Sequence, residues 1–194
     1  TSDYFKSRPT SFHVNGEIYV AYIEGHAPDT TVLYIHRKEG NQWTLDYRQA
    51  YPEGGYFFGS IAGRFSWNIF GIFNGEPHLL HNQGNMDLQE GLTHLVKSNG
   101  MWQEVRFTST DPVGAGIFNG SEIEFDSKGN LYWVDRDKIH GINQDQQHFW
   151  FHGPLRGNYY TGLDFEIEQD QLYMYQIAGE KPWPYGDPVL FFES

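Results

Sequence analysis

The chain has 194 residues, of which 39% are hydrophobic and 18% aromatic, and this composition indicates a folded domain, not a disordered segment. Its formal net charge of −12 argues against a nucleic-acid partner, because affinity for a phosphate backbone comes mainly from Lys and Arg. No stretch is long and apolar enough to span a membrane as a helix, so we expect no membrane partner.

The sequence gives little information about the compartment. It contains no Cys, which excludes disulfides, thiol catalysis and thiolate metal sites but leaves the compartment open. The first residues lack the basic and apolar regions of a secretory signal. We expect a soluble, already processed protein that is secreted or extracellular, with the cytoplasm as the alternative.

Short strands joined by tight turns are predicted along the whole chain, in four units that span residues 11–50, 60–110, 118–155 and 160–194. Residues 3–8 form a further strand, which ends at Pro9 because Pro cannot donate to a ladder. No segment has sustained helical periodicity. The predicted strands lie near residues 11–14, 18–24, 31–38 and 43–48 in unit one; 66–73, 77–82, 91–97 and 102–107 in unit two; 121–126, 130–135, 137–142 and 147–152 in unit three; and 163–168, 171–177 and 188–193 in unit four.

The second unit repeats the first at a constant offset. Four landmarks of unit one return 59 positions later: the Asn15-Gly16-Glu17 turn as Asn74-Gly75-Glu76, Leu33 as Leu92, Lys38 as Lys97 and Trp43 as Trp102. Units three and four are weaker copies. A single unit cannot bury both of its faces, so stacked units must supply each other's core.

These features predict an all-β fold, a β-propeller of about four blade-like antiparallel units, with a β-sandwich or barrel as the alternative. The first strand of unit two, residues 67–73, is almost wholly apolar, which predicts an inner strand buried on both faces. Unit four is one strand short, and residues 1–8 are predicted to supply it and close the structure.

Unit one resembles the opening blade of the sialidase-like propellers with BNR or Asp-box repeats, a superfamily that includes polysaccharide lyases. The matching elements are Arg8-Pro9, residues 21–26 and the Gly-Asn-Gln-Trp turn at 40–43. His26 stands where the family has Arg, and the turn lacks the family's Ser and Asp. The resemblance implies a carbohydrate ligand, with Arg8 as the first of the arginines that bind a sugar carboxylate.

The candidate catalytic residues are Tyr22, Glu24 and His26, joined by Arg8. Residues two apart on a strand share a face, and a His beside a carboxylate could abstract a sugar proton or protonate a leaving oxygen. Arg8 could bind a carboxylate bidentately. The structural alternatives are a loop His paired to an acid, a packed Tyr and a solvated terminal Arg.

Further candidates for ligand binding are basic and aromatic. A chain of this charge repels acidic glycans unless basic side chains cluster, and those considered are Arg8, Arg37, Arg48 and Arg64. Trp183 and Tyr185 lie in a Pro-rich loop that could display a ring to a sugar. The tryptophans at repeat positions are expected in the core, with stacking on a sugar ring as the alternative; they are Trp43, Trp102 and Trp150.

Two strands carry alternating carboxylates that could bind calcium or magnesium, or act as acid and base. The proposed metal ligands are Glu122, Glu124, Asp164 and Glu166, followed on the same strands by Asp126 and Glu168. The alternative is an ordinary solvated strand face. His78 and His81 cannot share a metal ion, because residues three apart on a strand point to opposite faces.

The leading functional prediction is a glycan-binding module that requires no cofactor, although calcium remains an option. A glycoside hydrolase or a lyase acting on an acidic glycan is the first alternative, and a protein-interaction scaffold is the second. The sequence leaves the glycan and the oligomeric state open.

Overall fold

The computed structural model describes residues 5–6, 9–26, 30–51, 68–82, 92–108, 123–135, 138–152, 159–179 and 189–193. Within these ranges the chain forms sixteen strands in four antiparallel sheets and contains no helix, which confirms the predicted all-β fold. Accordingly, the described part of the chain has no helix that could cross a membrane.

Each sheet is built from strands that follow one another along the chain. Sheet 1 contains β1 Phe5–Lys6, β2 Thr10–Val14, β3 Glu17–His26, β4 Thr30–Glu39 and β5 Gln42–Tyr51. Sheet 2 contains β6 Asn68–Phe73, β7 Glu76–Asn82, β8 Leu92–Ser98 and β9 Met101–Val105. Sheet 3 contains β10 Glu124–Phe125, β11 Leu131–Asp135, β12 Lys138–Ile142 and β13 His148–His152. Sheet 4 contains β14 Tyr159–Glu168, β15 Gln171–Gly179 and β16 Val189–Glu193.

The N-terminal strand pairs within sheet 1, so the prediction that it completes unit four is wrong. β1 lies opposite Glu24 and Gly25 of β3. β3 has ten residues, and its neighbour β2 covers only the part up to Ala21. β1 extends the same edge beyond the end of β2, because backbone groups of β3 would otherwise lack ladder partners there.

The repeated Asn-Gly turns have the same conformation in sheets 1 and 2. Both residues of each turn have positive φ, 50° and 82° at Asn15 and Gly16 and 51° and 79° at Asn74 and Gly75. A two-residue hairpin turn of this type favours Asn followed by Gly. Asn15 Nδ2 donates to the carbonyl oxygen of Gly75 at 3.0 Å. The two turns therefore lie side by side, and sheet 2 packs on sheet 1 in the same orientation.

The four sheets follow one another in space as they do in sequence. Strand β2 contacts β6, β6 contacts β10, and β10 contacts β14, so the first strands of successive sheets lie next to each other. Three apolar clusters fill the spaces between consecutive sheets. Stacked antiparallel meanders with adjacent first strands have the architecture of a β-propeller. The clusters are centred on Leu33, Leu79 and Trp102 between sheets 1 and 2, on Leu80, Ile123 and Trp133 between sheets 2 and 3, and on Val134, Ile139 and Phe165 between sheets 3 and 4.

The first strand of sheet 2 packs against sheets on both sides, as its apolar sequence predicts. Phe70 packs against the cluster with sheet 1, and Ile69 is buried in the cluster with sheet 3. Gly71 lets Ile123 of sheet 3 approach, since a Cβ there would lie 2.6 Å from the Ile123 side chain and carbonyl oxygen. Ile72 is exposed, contrary to the prediction, because it lies beside the Asn74 turn at the end of the sheet.

Candidate functional site

The outer face of sheet 1 is the face turned away from sheet 2. Alternation along β3 places Tyr19, Ala21 and Ile23 in the core and the residues between them on the outer face. An extra residue in β5, Asp46, interrupts the pairing with β4. The outer face contains Ile18, Val20, Tyr22 and Glu24 of β3, Val32, Tyr34, His36 and Lys38 of β4, and Trp43, Leu45, Arg48 and Ala50 of β5. Val32, opposite Glu24, is buried at 1% exposure.

Three rings form a cluster at the centre of this face. Tyr22 lies opposite Tyr34 in the ladder, and their ring centres are 5.3 Å apart in a stacked arrangement. The imidazole of His36 lies 5.6 Å from the Tyr22 ring and nearly parallel to it. Tyr22 Oη and His36 Nε2 share a hydrogen bond of 3.1 Å. We call Tyr22, Tyr34 and His36 the ring cluster.

Charged side chains lie on both sides of the ring cluster. The guanidinium carbon of Arg48 lies over the Tyr34 ring, 5.8 Å from its centre. Glu24 follows Tyr22 by two positions on β3 and is half-buried on the same face. Phenol, imidazole, carboxylate and guanidinium groups therefore share a single sheet face, and together they offer both donors and acceptors.

The equivalent positions in sheet 2 are buried. Under the 59-residue offset, Tyr22 corresponds to His81, Tyr34 to Thr93 and His36 to Leu95. The ladder confirms this alignment, since His81 lies opposite Thr93 as Tyr22 lies opposite Tyr34. The sheet 2 residues are all buried, whereas those of the ring cluster are half-buried. The ring cluster thus occupies positions that the next repeat buries against a neighbouring sheet.

The predicted catalytic residues are only partly described. Tyr22 and Glu24 share the outer face of sheet 1, as their spacing predicts. The backbone of His26 ends the same strand, but its side chain lies outside the described part of the structure, as does Arg8. The hydrogen-bond partner of Tyr22 is His36, which the sequence analysis did not select. Two signals could have identified His36. Alternation along residues 33–36 places Tyr34 and His36 on one face, and antiparallel pairing of β3 with β4 across a short loop brings that face beside Tyr22.

The predicted basic and aromatic ligand-binding residues do not gather at one described site. Arg37 Nη1 donates to Glu17 Oε1 at 2.8 Å, and its guanidinium also contacts Glu39. Its charge is therefore engaged in local ion pairs on sheet 1. Arg48 lies over the Tyr34 ring of the ring cluster. The remaining candidates lie outside the described residues, namely Arg8, Arg64, Trp183 and Tyr185.

The acidic residues proposed as metal ligands form no metal site among the described side chains, where no three His, Asp or Glu residues could hold one ion. Glu122 and the side chain of Asp164 lie outside the described residues, so the metal stays a prediction. Glu124 is half-buried on β10, and Glu166 is exposed on β14. Asp126 stabilises a turn, since its carboxylate accepts hydrogen bonds from the backbone and side chain of Asn130 at 2.8 and 2.7 Å.

The tryptophans at repeat positions differ in burial. Trp102 is 8% exposed and belongs to the core, as expected. Trp43 and Trp150 are 49% and 40% exposed, so the expectation that they lie in the core is wrong. The ammonium of Lys138 lies 4.0 Å from the centre of the Trp150 ring. A repeat position predicts where a ring points, but the neighbouring sheet determines whether it is buried.

Buried and half-buried histidines form two contacts that the sequence did not suggest. His78 Nδ1 and His94 Nε2 lie 3.0 Å apart, and so do His140 Nδ1 and His148 Nε2. Burial lowers the pKa of His78 to about 4 and the pKa values of His81 and His94 to about 3. At neutral pH these three imidazoles are therefore uncharged and suited to packing between sheets.

A buried ion pair connects sheets 1 and 2. Lys97 Nζ donates to Asp46 Oδ2 at 2.7 Å and to Tyr19 Oη at 3.1 Å. Trp102 Nε1 donates to the same Asp46 oxygen at 2.7 Å. Burial alone would lower the pKa of Lys97, but its hydrogen bonds to Asp46 and Tyr19 outweigh this effect and raise the pKa above its usual value. The Lys97 ammonium therefore remains charged between the sheets.

No protein-family model matches the sequence, and no curated protein matches it significantly. Among solved structures, the chain is similar to an alpha-L-arabinofuranosidase from Clostridium thermocellum, with 14% identity and a TM-score of 0.43 over 99% of this chain and 67% of that one. A GH43_1 enzyme from Xanthomonas citri complexed with xylose has 13% identity and a TM-score of 0.43 over 88% of this chain and 62% of that one. The fission yeast SREBP-SCAP binding domains have 8% identity and a TM-score of 0.42 over 98% of this chain and 49% of that one.

The chain spans 49–67% of the length of these three structures. Similarity at this level does not place the chain in a family. The sialidase-like resemblance of unit one therefore stays a prediction.

Proposed function

We propose that the chain recognises carbohydrate and that its ligand site is the ring cluster on the outer face of sheet 1. The supporting observation is the difference between the two repeats. Sheet 1 has His36 and Tyr34 where sheet 2 has the buried residues Leu95 and Thr93. Rings that can form hydrogen bonds suit a ligand that needs apolar contact and polar recognition together.

The chemistry of this face matches a sugar. A pyranose presents C–H groups that pack on aromatic rings, and hydroxyl groups that both donate and accept hydrogen bonds. Tyr22 and Tyr34 supply ring surface and hydroxyls, and His36 supplies a ring nitrogen. Glu24 accepts hydrogen bonds, and Arg48 donates them. An acidic sugar would gain an additional ion pair with Arg48, so the ligand panel should contain neutral and acidic glycans.

Binding is tested by titrating the purified chain with a panel of neutral and acidic polysaccharides. We expect Tyr34→Ala to weaken binding about tenfold, because it removes one ring of the ring cluster. The matched control is Trp150→Ala, which removes an exposed ring from sheet 3 and should leave the affinity unchanged. No binding to any glycan, or equal loss in both variants, would contradict the proposal.

The hydrogen bond between Tyr22 and His36 favours a second candidate, a glycoside hydrolase or lyase. An imidazole that shares a proton with a phenol can serve as general base, while Glu24 on the same face could act as a second acid or base. The predicted catalytic set would then contain His36 beside Tyr22 and Glu24.

The variant Tyr22→Phe separates binding from catalysis, because it keeps the ring and removes only the hydroxyl. For an enzyme, we expect this variant to bind glycan with similar affinity but to lose nearly all product formation. Products are followed as reducing ends and as the ultraviolet absorbance of unsaturated sugars. Glycan binding by the wild-type chain without any product would reject the enzyme and retain the binding module.

A further inference from the structure

We propose that one end of the outer face of sheet 1 binds sheet 4 of a second copy of this chain. This part of the face, which we call the turn end, lies nearest the turn at residues 40–41 and consists of Ile18, Lys38, Trp43 and Leu45. The inference is independent of the proposed function, because it depends on side chains outside the ring cluster.

The repeat provides a counterpart of the turn end in sheet 2. Lys38 lies opposite Trp43 in the ladder, as Lys97 lies opposite Trp102. The two pairs therefore have the same place and orientation in their sheets. In sheet 2 the pair is buried, with Lys97 only 7% exposed.

The inward face of sheet 1 covers the pair in sheet 2. Asp46 accepts hydrogen bonds from Lys97 and Trp102, and the Lys97 ammonium lies 4.7 Å from the centre of the Tyr19 ring. A Lys–Trp pair at this position thus packs on a sheet that offers a carboxylate and a tyrosine. The same chemistry should cover the pair in sheet 1.

The turn end has no such cover within the described structure. Leu45 is 54% exposed, and Trp43 and Ile18 are also exposed. These three are among only seven large hydrophobic side chains that are exposed in the described part of the chain, and they share one face. Exposed apolar groups that adjoin one another mark interaction surfaces.

Sheet 4 offers the required chemistry on its outer face. Phe165 and Ile167 pack towards sheet 3, so Glu166 and Glu168 alternate to the other side of β14. Tyr173 of β15 lies opposite Glu166 in the ladder. Both glutamates are exposed. The outer face of sheet 4 therefore presents carboxylates and a tyrosine, as the inward face of sheet 1 does.

The two outer faces are complementary in charge. The turn end of sheet 1 carries Lys38, and the described part of the sheet 4 face carries Glu166 and Glu168. When the sheet 1 face of one copy contacts the sheet 4 face of another, the first copy still has its sheet 4 face available and the second copy its sheet 1 face. Two copies can therefore close into a symmetric pair, and an unclosed contact would extend into longer assemblies.

The inference is tested by sedimentation equilibrium of the purified chain over a wide range of concentrations and at low and high salt. We expect the average mass to rise above that of the monomer with concentration, and the association to weaken at high salt. Lys38→Glu should raise the dissociation constant at least about tenfold. Adding Glu166→Lys and Glu168→Lys to the same chain should restore association, because the charges are then exchanged.

The matched control is Arg106→Glu, an equal change of charge at an exposed position beyond sheet 2, which should leave association unchanged. A monomer at all concentrations would overturn the proposal, and so would association that Lys38→Glu does not weaken.

Acrylamide quenching, compared between wild type and Trp43→Phe, adds a second readout. A monomer in which Trp43 is protected would show that the face is covered within one chain. Glycan binding by a wild-type chain that stays monomeric would show that the proposed function survives failure of this inference.

Discussion

Replacing Asp46 with alanine is expected to lower the free energy of unfolding by about 3–5 kcal/mol, because it leaves the Lys97 ammonium buried without its carboxylate partner. The loss includes the hydrogen bond that Trp102 donates to the same oxygen. The measurement is urea unfolding at pH 7, followed by tryptophan fluorescence. Asp145→Ala, which removes an exposed carboxylate from a turn of sheet 3, is the control and should have a much smaller effect.

A double variant tests the cause of this loss. Asp46→Leu combined with Lys97→Met removes both charges and should cost less than Asp46→Ala alone, since no uncompensated charge remains between the sheets. If the double variant is as unstable as the sum of the two single variants, the ion pair is not the source of the effect.

Stability is expected to fall steeply as the pH is lowered from about 6.5 towards 4, because His78, His81 and His94 are buried in the uncharged form. Their folded pKa values lie below the value of about 6.5 in the unfolded chain. In this window the unfolded chain therefore binds more protons than the folded chain. Each histidine contributes stability above pH 6.5, and at pH 5 about 2 kcal/mol per histidine would be lost.

Urea unfolding at half-unit steps of pH measures this effect. The slope of the unfolding free energy against pH gives the number of protons taken up on unfolding. His81→Leu should reduce that slope by nearly one proton between pH 6 and 4. A free energy that is constant between pH 6.5 and 5 would contradict the assignment, as would an unchanged slope in the variant.

The strands and their grouping were predictable because they depend on local patterns. Alternation and the Asn-Gly turns at Asn15 and Asn74 located β2, β3, β6 and β7 within a few residues. The constant offset of Lys38 and Trp43 from Lys97 and Trp102 indicated two equivalent units, and the two residues are ladder partners in both sheets. These are short-range properties of neighbouring strands.

The site could be predicted only in part, because its contacts depend on register and on the neighbouring sheet. Alternation placed Tyr22 and Glu24 on one face, but the contact between Tyr22 and His36 also requires the register of β3 against β4. The same applies to the contact between His78 and His94, which joins two strands. Trp43 and Trp102 have equivalent positions but different burial, and no local pattern contains the information that only one of them is covered.

The apolar clusters also determine how the molecule can open. Among the described side chains each cluster joins two consecutive sheets, so the interfaces that they form follow one another in a linear series. Such an arrangement can lose a terminal sheet while the others remain assembled. Among the described side chains, the cluster between sheets 3 and 4 has the fewest members, so we expect sheet 4 to open before the other sheets.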